Sequence, residues 1–153
     1  MFEDLREELE NKELLTNKED ILKNLCVLLK NAVKSNYSKA IAFSGGLDSN
    51  LIAYLSKDFT LYAIGLDNSQ DLAWAKKIAK DMKWSIKIKI FDLKEAEEVI
   101  KEVISILKKN KVECNVLKVG IGCVTYSVLK MAKDDGHKTI SCGLGAEEIF
   151  AGY

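Results

Sequence analysis

Between residues 39 and 142 the chain alternates short apolar runs with longer segments of helical spacing, and the first run stops on paired glycines. Residues 39–43 end at Ser44-Gly45-Gly46, and a helix-spaced segment begins near Ser49. Residues 61–66 form a second apolar run, closed by Asp67-Asn68-Ser69 as a helix start, with helical spacing over 72–82. Over 84–91, Trp84, Ile86, Ile88 and Ile90 alternate with Ser85, Lys87 and Lys89, so this strand keeps one face wet. Amphipathic helices are predicted over 93–109 and 115–134, and 138–142 is the last strand, running into Gly143-Leu144-Gly145. Strands separated by helices of this length require right-handed crossovers, which place them parallel in one sheet. The fold class is therefore α/β, a doubly wound parallel sheet of four strands, with the alternating strand at an edge.

The segment before the first strand differs in character. Residues 3–15 are charge-dense and read as an exposed lead-in helix. Thr16 and Glu19 match the S/T-x-x-E capping box, and Ile21, Leu22, Leu25, Leu28, Leu29, Ala32 and Val33 form one stripe of a helix ending near Ser35-Asn36. The expected organisation is a helical lead-in over 1–37 and one domain over 38–153. A length of 153 residues, 48% of them apolar, suits a single hydrophobic core.

Charge and cysteine usage exclude several classes of function. Basic and acidic residues balance at 23 each, which argues against a basic nucleic-acid clamp or an electrostatic membrane anchor. No apolar run approaches the ~18 residues that span a bilayer, and the acidic start, Met1-Phe2-Glu3-Asp4, lacks a signal-peptide core. Cys26, Cys114, Cys123 and Cys142 form no C-x-x-C pair. They read as reduced thiols of a cytoplasmic protein, three of them small buried apolar residues, with Cys142 packing at the end of the last strand.

The chemistry concentrates at Ser44-Gly45-Gly46-Leu47-Asp48-Ser49, between a strand and a helix N-terminus. Adjacent glycines permit positive φ and let a phosphate approach the main chain. The free amides of the first helical turn favour an anion there, and the Ser44 and Ser49 hydroxyls add donors. A carboxylate in such a loop repels its ligand unless a cation lies between them, so Asp48 points to magnesium, which takes one or two carboxylates plus phosphate oxygens. The loop is neither a Walker A sequence nor G-x-G-x-x-G. The plainer alternative is a tight turn in which Asp48 or Ser49 only caps the helix.

These residues resemble the SGGxDS pyrophosphate loop of the N-type ATP pyrophosphatases. A second block, from Gly143 through Ala146, Glu147 and Glu148 to Tyr153, resembles the corresponding segment of the asparagine synthetase ligase domain. Gly65-Leu66-Asp67-Asn68-Ser69-Gln70-Asp71-Leu72 resembles that family's segment after its second strand, and the spacing from Tyr126 to Gly136 matches its helix before the last strand. The resemblance implies the adenine nucleotide alpha hydrolase-like (PP-loop) fold, strand order 3-2-1-4, and a nucleotide at the point where that order reverses. It implies Ser44, Gly45, Gly46, Asp48 and Ser49 around the phosphates, Gly143 at the ribose, Leu66 near adenine, and Asp48 with Glu147 on Mg2+. Glu147 and Glu148 also fit a plainer role, as charges in a helical first turn.

The implied reaction is Mg-dependent cleavage of ATP to AMP and pyrophosphate, with adenylation of a small carboxylate and amide formation. Three departures qualify it. No glutaminase domain or N-terminal cysteine nucleophile precedes the first strand, so nitrogen would arrive as ammonia or from a separate amidotransferase subunit. Leu144 stands where the family has a polar residue beside the reacting acyl group, and a leucine transfers no proton. The chain stops at Tyr153, before the segment that supplies a catalytic lysine in the family, and we identify no catalytic residue. The alternatives are a nucleotide-binding module completed by a partner subunit or homodimer, and another PP-loop ATPase such as a tRNA-modifying enzyme. His137 reads as a surface histidine, Lys118 and Lys138 as solvated charges, and Trp74 and Trp84 as core.

Overall fold

The computed structural model describes residue 12 and residues 16–150. Residues 1–35 and 36–153 form separate compact units. In the first, helix α1 spans Lys18–Ser35. The cap expected from Thr16 and Glu19 is supplied one residue later, because Asn17 Oδ1 accepts from the amides of Glu19 (2.9 Å) and Asp20 (3.3 Å). Asparagine is as good a cap as threonine, and here it sits immediately before the first helical residue. None of the α1 residues is buried, and Leu28 of the expected apolar stripe is 65% exposed. Helical periodicity says which face is available for burial, not what buries it. Of the lead-in helix expected over 3–15, all but Lys12 lies outside the described residues.

The second unit carries β1 (Ala40–Ala42), α2 (Leu47–Leu55), β2 (Thr60–Leu66), α3 (Gln70–Asp81), β3 (Ile86–Phe91), α4 (Leu93–Lys109), α5 (Val116–Asp134) and α6 (Ala146–Phe150). All three strands are parallel, in the order β1-β2-β3, with Ile41 opposite Leu61 and Leu61 opposite Ile86. β3 lies at the edge, as its alternating sequence predicts, although Trp84 precedes the strand and packs against the core instead.

The fourth strand shrinks to one parallel bridge between Ile41 and Ser141. Ala42 N–H donates to the Ser141 carbonyl (2.8 Å) and Ser141 N–H to that of Ala40 (2.9 Å). Below the bridge the Ser38 hydroxyl intervenes: it donates to the Thr139 carbonyl (2.7 Å) and accepts from Ala40 N–H (3.2 Å). A side chain thus occupies the place of the next ladder bond, while the spatial order 3-2-1-4 is preserved.

Strand alternation divides the core between two faces. Ile41, Leu61 and Ala63 pack with Phe43, Ala53 of α2, and Leu72, Ala75 and Ala79 of α3. Ala40 and Tyr62 pack on the other face with Val128 and Ala132 of α5. Helices covering both faces make the sheet doubly wound. Among the described residues, three side-chain caps set helix starts on this frame: Ser69 accepts from Leu72 N–H at α3, Asp92 and Glu95 form a reciprocal capping box at α4, and Asn115 accepts from Lys118 N–H at α5. The expected burial of the cysteines is not found. Cys26, Cys114 and Cys142 are exposed, and Cys142 follows the single bridge beyond the last paired residue. Cys123 alone is partly buried, which pushes its thiol pKa up.

Candidate functional site

The Phe43 N–H makes the last ladder bond of the first strand, to the Tyr62 carbonyl (2.9 Å), and the chain then turns into α2. Gly45 adopts φ +79°, and a Cβ there would stand 3.0 Å from Trp74 Cδ1 and 3.1 Å from Ala75 Cα. The residue is therefore required to be glycine by conformation and by the helix packed against it. Gly46 occupies the N-cap of α2, and no side chain caps the helix. This differs from the plain turn: Asp48 lies inside the first turn, and Ser49 Oγ donates back to the Gly46 carbonyl (3.0 Å). The first-turn amides of α2 are left without intrahelical acceptors, with the helix dipole behind them. Such an end receives anions. Ser44 Oγ accepts from Gly46 N–H (3.2 Å) and lies 3.3 Å from Ser49 Oγ, so both hydroxyls border the loop.

The loop carbonyls are turned the other way and held. Asn50 Nδ2 donates to the carbonyls of Gly45 (2.7 Å) and Gly46 (2.9 Å), and Trp74 Nε1 donates to that of Gly45 (3.2 Å). Trp74 is thus half exposed rather than core, because its ring lies over the loop and not beneath it. Sequence reading assigned neither residue to the loop. Asn50 sits four positions after Gly46, the spacing that brings a helical side chain back over the preceding turn. Trp74 is 29 positions from Gly45, and no local pattern signals that contact.

The remaining candidates divide. Gly143 comes directly against the loop helix, where an added Cβ would be 2.8 Å from Asp48 Cβ and 3.3 Å from Ser49 N. The segment after the fourth strand and the loop after the first are therefore in contact where the strand order reverses, off the carboxyl ends of the strands. Leu66 ends β2 on the same edge of the sheet and is half exposed. Glu147 is exposed in the short α6, beyond the turn in which Ala146 N–H donates to the Gly143 carbonyl (3.4 Å). Leu144 is 64% exposed. Lys118 pairs with Glu113 (3.0 Å). His137 is half-buried, with its ring edge-on to Tyr62 at 5.8 Å.

A groove of about 670 Å³ lies elsewhere, beside the fourth strand, between Leu129, Lys133, His137 and Ile140. Exposure varies along the loop: Leu47 is 83% exposed, whereas Gly45 and Ser49 are buried. Among the described residues no three His, Cys, Asp or Glu side chains gather as a cage for a metal. One or two carboxylates are what Mg2+ takes when phosphate oxygens complete its shell, so Asp48 and Glu147 have the right chemistry for it.

Fold and loop together define a class: a doubly wound α/β protein with a glycine loop and an uncapped helix start at its topological switch point. Residues 25–153 match the asparagine synthase family model, and the chain belongs to that family. It is 39% identical over 116 residues to a Methanocaldococcus jannaschii protein assigned as a glutamine-hydrolysing asparagine synthetase, covering 74% of this chain and 21% of that one. The chicken glutamine-hydrolysing asparagine synthetase is 30% identical over 149 residues, covering 88% and 26% respectively. The chain thus spans about a quarter or less of the length of these relatives. An ammonia-dependent NAD synthetase from Campylobacter jejuni, solved with nitrate, matches with a TM-score of 0.47 at 17% identity over 78% of this chain and 53% of that one.

Proposed function

We propose that this chain is the nucleotide-binding part of an ATP pyrophosphatase-type amidating ligase, with residues 38–153 forming that domain and 1–37 leading into it. The single observation that carries the reading is the uncapped start of α2, which carries Asp48 in its first turn and packs directly against Gly143 at the switch point. Ser44, Gly45, Gly46 and Ser49 would take the β and γ phosphates, Gly143 the ribose side, and Leu66 the adenine. Asp48 and Glu147 would hold Mg2+, which on binding neutralises phosphate charge. In the reaction proposed, a carboxylate of aspartate or a related acid attacks the α phosphorus of ATP, and pyrophosphate leaves toward the loop. The loop N–H groups stabilise the charge that gathers on that leaving group. Ammonia, free or delivered by an amidotransferase subunit, then attacks the acyl carbon and expels AMP.

Calorimetric titration of Mg-ATP into wild type and Asp48→Ala tests the reading. Affinity should fall at least tenfold in the variant, and equal affinities would remove Asp48 from the site.

A second reading is a nucleotide-holding module completed by another polypeptide. It is favoured by Leu144, an exposed apolar side chain where the family resemblance implies a polar residue beside the acyl group. Pyrophosphate release from ATP with aspartate and ammonia separates the two. Release well above background selects the complete ligase, and tight ATP binding without release selects the module.

A further inference from the structure

We infer that Asn50 and Trp74 are positioning residues that hold the glycine loop in its anion-receiving form before any ligand arrives. This rests on the nucleotide reading above for its ligand, but its geometry stands apart from it. A trans peptide is planar, with its carbonyl and N–H pointing in opposite directions. Holding the Gly45 carbonyl therefore directs the Gly46 N–H, and holding the Gly46 carbonyl directs the Leu47 N–H. The Asn50 amide grips both carbonyls at 2.7 and 2.9 Å, and the Trp74 indole adds a third bond at 3.2 Å. Both Asn50 contacts are acceptors, so only its NH2 group satisfies them, which fixes the orientation of the side chain.

The grip is needed because glycine is permissive. At Gly45, with φ +79°, the following peptide flips at little steric cost, and the flipped form would aim a carbonyl at the incoming phosphate. Two donors from different elements oppose that flip. Asn50 belongs to α2, the helix whose end receives the anion, and Trp74 belongs to α3 on the neighbouring crossover. The Trp74 ring also lies where a Gly45 side chain would be, so it packs the loop as well as bonding to it. Ser49 Oγ shares the Gly46 carbonyl (3.0 Å), but no hydroxyl of the loop engages the Gly45 carbonyl, since Ser44 Oγ accepts from the Gly46 amide instead.

The test uses the whole chain with Asn50→Ala, Trp74→Phe and the double variant. Trp74→Phe keeps an aromatic ring and removes only the N–H donor and the fused ring. Asn50→Ala serves as the independent variant should the tryptophan change perturb packing. Backbone 15N relaxation on the ligand-free proteins reads the loop directly, and calorimetry with inorganic pyrophosphate, with and without Mg2+, reads its consequence. We expect order parameters at Gly45, Gly46 and Leu47 to drop below ~0.6 in each variant while the sheet stays rigid. Pyrophosphate affinity should fall about tenfold, and the double variant should lose less than the sum, since both donors share the Gly45 carbonyl. Unchanged loop order together with unchanged pyrophosphate affinity overturns the inference. A loosened loop in variants of a wild-type protein that binds neither pyrophosphate nor ATP supports the grip and overturns the nucleotide reading.

Discussion

At the scale of single residues, the glycines are not equivalent, and their differences are measurable. Gly45→Ala meets a positive φ and two close neighbours, Trp74 Cδ1 and the Ala75 backbone, which cannot yield as a flexible side-chain tip would. The left-handed conformation alone costs about 1–2 kcal/mol for a residue with a Cβ, and displacement of α3 adds to it. Gly120→Ala lies on an exposed position near the start of α5, with nothing within 4 Å of the new methyl group, and should stabilise by about 0.4–1 kcal/mol. Urea midpoints of the two variants should move in opposite directions. The glycine pair was legible in the sequence because strand, small residues and helix are consecutive there. Trp74 was not legible, because an aromatic at helical spacing reads as core unless the partner across the fold is known.

Among the elements, α4 shows most plainly how a local rule selects a boundary. Asp92 Oδ1 accepts from Glu95 N–H (2.8 Å), and Glu95 Oε2 accepts from Asp92 N–H (3.3 Å), so two orphan donors are satisfied at once. Asp92→Ala should cost about 1 kcal/mol, read as a lowered thermal midpoint with little change elsewhere in the far-UV spectrum. The same pattern at Thr16 and Glu19 is not used, because Asn17 is nearer the first turn and offers the same oxygen. The helix over 93–109 was therefore readable to the residue, whereas the cap of α1 was misplaced by one position. The fourth strand was readable as apolar sequence. Its reduction to a bridge was not, since it depends on the Ser38 hydroxyl reaching Thr139 across 101 positions.

At the scale of the whole second unit, a polar clasp at the end opposite the loop joins the layers. Tyr62 OH donates to Asp135 Oδ2 (2.5 Å), and Lys87 Nζ donates to the same oxygen (2.7 Å), tying the end of α5 to β2 and β3. The Lys87 bond, and then that of Tyr62, hold the Asp135 carboxyl below its ordinary pKa, against a smaller opposing effect of burial. Burial first, and the neighbouring carboxylate second, push the Tyr62 phenol up. A carboxyl whose pKa is depressed by folding stabilises the fold above its unfolded pKa and loses that contribution as pH falls through the folded value. The thermal midpoint of wild type should therefore fall below the ordinary carboxylate range, and Asp135→Asn should be less stable at neutral pH with a flatter acid limb. Parallel acid limbs would show that the clasp does not link protonation to folding. The sequence by itself determined the parallel α/β class, the two-faced core and the glycine loop, because each is written in neighbouring residues and in strand or helix period. Only the tertiary structure decided that Trp74 reaches the Gly45 carbonyl, how short the fourth strand is and which carboxylate clasps the layers, because those contacts join residues far apart in the chain, and no local pattern encodes the distance between them.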